Sequence, residues 1–170
     1  MASAELMQFP QTAQALMARL PLLTLLADFQ RALNDQFDSC RHVDRYRPGL
    51  ALQRLRSGVA LLCQLQEELL HPALGASRAE PWPALGRAIE GVGALRDLTV
   101  AGERADDARQ RAVMAVLEGL AQLQFASLDE LLSQADVTAL RWADIERGTE
   151  ALLIPWQAAC RDTEARHASA

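Results

Sequence analysis

Lysine is absent from this 170-residue chain, so all 17 of its basic residues are arginine. The simplest source is GC-rich coding, which points to a bacterial protein; a need for planar guanidinium contacts is the alternative. Aromatic residues make up only 5% of the chain. With β-branched residues also scarce, this speaks against a strand-rich fold. The three cysteines, Cys40, Cys63 and Cys160, are widely spaced and form no CxxC pair. That excludes a disulfide framework and a thiolate zinc site, and free thiols suit a cytoplasmic protein. The net charge is −5, which argues against nucleic acid or an anionic membrane as partner. The nearest basic cluster, RHVDRYR from Arg41 to Arg47, reads as a solvated loop before Pro48. The apolar run Leu20 to Leu26 lacks a basic flank and is too short to span a bilayer, so neither a signal peptide nor a transmembrane helix is expected. There is no GxSxG, no glycine-rich phosphate loop and no nucleophile–base pattern, so no catalytic residue is assigned and no enzyme is expected.

What is present is helix. Hydrophobic residues make up 50% of the chain, with leucine and alanine prominent, enough for a sizeable core. Pro21 reads as the opening of a first helix with Leu22, Leu26, Phe29, Leu33 and Phe37 on one stripe. Pro48 opens a second, with Leu52, Leu55, Val59, Leu62, Gln66 and Leu69, stopping at His71-Pro72. After a loop from Gly75 to Pro83, a third turns Leu85, Ile89, Val92 and either Leu95 or Leu98 inward. Gly91 and Gly93 in it mark either close packing or drift. A fourth begins near Ala105, with Val113, Leu117, Leu120, Gln124, Leu128 and Leu131 inward. Asp136 reads as the N-cap of a fifth segment, limited by Pro155, whose Trp142, Trp156 and Leu152-Leu153-Ile154 either cover the bundle or form a homodimer face. The expected organisation is a loose arm over 1–20, either without regular structure or with a short helix around Thr12 to Arg19, one bundle domain over 21–160 and a frayed tail over 161–170. The expected fold class is all-α, an antiparallel up-down four-helix bundle with an additional C-terminal helix.

Three segments carry a family resemblance. QEELLHPAL (Gln66 to Leu74), LLADF (Leu25 to Phe29) and LDELL (Leu128 to Leu132) resemble the ligand-bearing helices of hemerythrin-like, cation-binding four-helix bundles, over roughly Pro21 to Gln134. The resemblance implies the bundle just described and a di-iron centre between its helices. Matched residue by residue, Phe29 stands at the first-helix His. Leu62 and Gln66 stand at the second-helix His and Glu, and Gln124 and Leu128 at the fourth-helix His and carboxylate. The third helix has no His, and its ligand position has no counterpart. These five residues are poor iron ligands, so the resemblance implies a bundle whose metal site is vacated, with no cofactor. Its expected role is non-enzymatic: binding, regulation or scaffolding of an unidentified protein.

Two alternatives stand beside this. Glu68-x-x-His71, repeated by Glu164-x-x-His167, has the spacing of ferritin-like iron sites and would suit a metal- or oxygen-handling protein with an unusual site. The opposing expectation is that Glu68 and His71 lie on a solvated face or helix end. Alternatively, the five vacated positions leave an apolar pocket for a small hydrophobic ligand. Gln66 and Gln124 are expected either to hydrogen-bond across the core or to reach solvent. Cys63, beside the core stripe, is expected to be an inert thiol.

Overall fold

In the computed structural model the structure describes residues 8–42, 48–103, 107–136 and 140–168, with side chains over 17–41, 50–102, 109–136 and 140–161. The described residues are almost entirely helical and contain no strand. The helices are α1 (Gln8–His42), α2 (Pro48–Gln64), a π-helical turn (Leu65–Leu70), α3 (His71–Ala76), α4 (Pro83–Glu103), α5 (Asp107–Gln134) and α6 (Trp142–Ala168). Because α2, the π turn and α3 run on without a break, the described residues form five long helical rods. No helix among the described residues is long and apolar enough to cross a membrane.

Pro48 and Pro83 do open α2 and α4. Pro21, Pro72 and Pro155 were expected at helix boundaries, yet each lies inside continuous helix. An interior proline costs about 3 kcal/mol. All three rings are exposed, and each helix gains contacts by continuing. Upstream of Pro21, Arg19 donates to the Ser133 and Ala135 carbonyls at 3.2 and 3.0 Å and lies over the Trp142 ring at 5.3 Å. It thereby satisfies carbonyls at the C-terminus of α5 that have no intrahelical partner. Beyond Pro155, Trp156 and Cys160 are buried; beyond Pro72, Leu74 is buried. Each large apolar side chain so buried contributes about 1.5–3 kcal/mol. The arm expected over 1–20 is therefore helical from Gln8, and the tail after Arg161 is helical to Ala168.

Asp136 does not cap α6, which begins at Trp142 with the Asp144 and Ile145 amides donating to the Arg141 carbonyl. Most of the loop at Arg41–Arg47 and the expected start at Ala105 lie outside the described residues. The expected stripe of α1 is wholly buried, as are Leu55, Val59, Leu62 and Gln66 of α2 and the π turn. In α4 Leu85, Val92 and Leu95 are buried as expected, but Ile89 is 51% exposed and Ala88 takes its inward place.

The helices share one core. The side chain of Leu33 in α1 lies where a Cβ on Gly58 in α2 would point, and Cys63 in α2 meets Val92 in α4. Gln124 in α5 lies over Gly91 in α4, and Gln30 in α1 bonds Gln122 in α5 at 2.9 Å. The last helix, α6, lies along α1 and α2. Trp156 donates its indole N–H to the Arg54 carbonyl at 3.1 Å, and Leu69 packs against Gly148.

Candidate functional site

Phe29, Leu62, Gln66, Gln124 and Leu128 all lie in the interior, none more than 5% exposed. The three apolar ones belong to the common core. Phe29 meets Phe125 edge-on at 5.7 Å between ring centroids and Trp156 at 5.4 Å, so rings from α1, α5 and α6 interlock there.

The two amides behave otherwise than expected. Neither reaches solvent, and they do not bond each other. Both polar atoms of the Gln66 amide, and Oε1 of Gln124, find no hydrogen-bond partner among the described residues. Gln124 has room because α4 has a glycine opposite it: a Cβ on Gly91 would overlap its amide nitrogen. Gly91 thus serves close packing. Gly93, where an added Cβ meets nothing within 4 Å, does not.

His71 is the larger correction. The expectation placed it on a solvated face or helix end, but it is buried. The cause is the π turn. Pro72 has no N–H to give the Glu68 carbonyl and its ring crowds that carbonyl. The helix widens instead, and the His71 amide donates to the Gln66 carbonyl five residues back. Positions five apart on a regular α-helix point about 140° away from each other. Closing the turn over five residues brings Gln66 and His71 to the same buried side. The turn also splits the Glu68-x-x-His71 pair. Glu68 is exposed and accepts a bond from Gln64 at 3.0 Å, while His71 points inward with Nε2 unpartnered among the described residues. Burial lowers the pKa of His71, against an opposing pull from Glu67. Glu164-x-x-His167 lies outside the described side chains.

The thiol of Cys63 is buried, its Sγ 3.9 Å from the Val92 carbonyl. Burial pushes its pKa up to about 11; Arg96 lowers it and Glu67 raises it. A thiolate nucleophile is disfavoured there. Glu67 and Arg96 pair with each other at the surface.

A di-iron centre would need several imidazole or carboxylate donors converging on one point. The five positions supply three hydrocarbon side chains and two neutral amides, which do not fit it. Among the described residues no group of three or more His, Cys, Asp or Glu is placed to hold a metal ion.

An apolar-walled cavity lies apart from the five positions. Its volume is about 370 Å³, and it lies towards the C-terminal end of α1 and the N-terminal half of α5, walled by Phe37, Leu52 and Met114, with Cys40, Arg41 and Arg111 in its lining. None of the five interior positions lines it. Neither this cavity nor the π turn was read from sequence. Pro72 inside an apolar stripe that continues to Leu74 was the available signal for the turn. The cavity needs three helices at once. Comparison of the chain with protein-family models, with curated proteins and with solved structures finds no match to any of them.

Proposed function

We propose that this chain is a non-enzymatic binding module, built as a hemerythrin-type up-down bundle whose metal centre has been taken over by core side chains. On this reading α1, α2 with its continuation, α4 and α5 form an antiparallel ring, and α6 lies outside it. The paired positions support this: Arg19 with Ser133 and Arg41 with Glu118 between α1 and α5, and Arg56 with Gly102 and Cys63 with Val92 between α2 and α4. In each pair, higher numbers on one helix meet lower numbers on the other.

The observation that carries the proposal is the packing at Phe29, whose ring sits edge-on to Phe125 and Trp156 with no exposed surface. The resemblance would place an iron-ligating imidazole there. The fold alone does not set the partner. The test is metal content after expression in iron-supplemented medium and purification without chelators, with an absorption spectrum of the same sample. The expected result is iron far below one atom per chain and no oxo-bridge band. Stoichiometric iron would overturn the proposal.

One observation favours a second reading, a small amphipathic ligand. The cavity joins the apolar surfaces of Phe37, Leu52 and Met114 to the exposed Arg111, while Arg41 at its edge is already paired with Asp38 and with Glu118, which also lines it. Arg111 is the cation that suits a short acyl carboxylate. Native mass spectrometry of freshly extracted protein, with Met114→Trp as the blocked control, distinguishes the two. A bound mass lost in the variant supports the ligand; none in either protein opposes it.

A further inference from the structure

The outer side of α5 carries a second, solvent-facing stripe that the core does not use. Ala112, Val116, Gly119, Leu123 and Ala126 recur at steps of four and three, and all are exposed. Val116 is 54% and Leu123 64% exposed. This is the spacing of a helix–helix seam. Its middle is glycine, which in an exposed helix interior costs about 1 kcal/mol relative to alanine. Nothing among the described residues requires the small residue there, because a Cβ on Gly119 would meet none of their atoms within 4 Å. A helix approaching from outside would require it, since the side chains at the crossing set the interaxial distance.

The charges at the two ends of the stripe select the partner. Continuing the same steps outward gives exposed Arg109 at one end and exposed Glu130 at the other. Arg111 and Asp129 repeat the asymmetry beside them: within a helix that opens on Asp107, the exposed stripe is basic at its N-terminal end and acidic at the other. The pattern is self-complementary about Gly119. If a second α5 is laid antiparallel across it, Val116 meets Leu123, Ala112 meets Ala126 and Arg109 meets Glu130, each twice. A parallel pairing would set Arg109 against Arg109 and Glu130 against Glu130, which is unfavourable.

We infer that the outer face of α5 is a self-association surface, on which a second copy of this chain docks antiparallel about a two-fold axis near Gly119. The interface is isologous, with each side chain used in both roles. The stretch from Arg109 to Glu130 is about 33 Å long at the rise of an α-helix. A single helix pair of that length falls at the small end of stable interfaces, so the dimer is expected to be weak, on the order of micromolar. This inference does not depend on what fills the bundle centre.

Sedimentation velocity of the full chain over a wide concentration series tests it. The expected result is a reversible monomer–dimer equilibrium. Leu123→Glu should abolish the dimer with helicity unchanged by circular dichroism, since the residue is exposed. Glu130→Arg should weaken association about tenfold by facing Arg109 with a like charge, and the double variant Arg109→Glu with Glu130→Arg should restore it. A wild-type chain that stays monomeric throughout overturns the inference, as does a dimer that survives Leu123→Glu. A dimer indifferent to Glu130→Arg overturns the antiparallel register.

Discussion

At the scale of single residues, glycines separate close contact from open surface. A Cβ on Gly58 would lie 2.5 Å from Cζ2 of Trp156 and 2.6 Å from Cδ1 of Leu33. Gly58→Ala therefore destabilises the chain even though alanine is the better helix former by about 1 kcal/mol. Gly93→Ala, in open space, raises stability by about 0.4–1 kcal/mol. Urea midpoints of the two variants should move in opposite directions. Gln66 provides a second case. Its amide is fully buried with neither polar atom partnered among the described residues, and an unsatisfied buried polar group costs about 1–3 kcal/mol. Gln66→Met keeps the shape and removes the amide, so a gain of about that size is expected in chemical denaturation. A loss would mean that the amide is satisfied after all. The inward place of Gln66 was legible in the helical stripe, but its lack of a partner was not. A stripe specifies a direction, whereas a hydrogen bond depends on what the neighbouring helix offers.

At the scale of elements, the π turn explains why His71 is inside. Because burial lowers its pKa in the folded chain, the unfolded chain binds more protons below the ordinary value of 6.5. The contribution of His71 to stability is then intact above pH 6.5 and falls as the pH drops through that value towards the folded pKa. Thermal melts taken from neutral to mildly acidic pH should show a falling midpoint, and His71→Leu should flatten the fall. An unchanged slope in the variant would place the titration elsewhere. The same element shows where sequence stops informing. Proline is a reliable local signal against helix, yet three of them lie inside helices here. The signal is worth about 3 kcal/mol, and tertiary contacts such as Trp156, Leu74 and the Arg19 bonds to α5 offset it. The stripe of α1 was legible because five large residues mark one phase. That of α4 was legible at Leu85, Val92 and Leu95 but not at Ile89, which was assigned inward where Ala88 belongs, because small residues leave the choice at that turn open.

At the scale of the molecule, the helices share one core filled by their own side chains. Helix-rich architecture was legible from composition and period. The place of α6 along α1 and α2 and the position of the cavity were not, since both depend on how separate elements meet. The central claim is that Phe29, with Leu62 and Leu128, fills the middle of the bundle. Equilibrium urea unfolding of Phe29→Ala tests it most directly. A ring packed between Phe125 and Trp156 with no exposed surface should cost about 3–5 kcal/mol when removed. A loss under about 1 kcal/mol would mean that the centre was not packed around that ring, and would contradict the account.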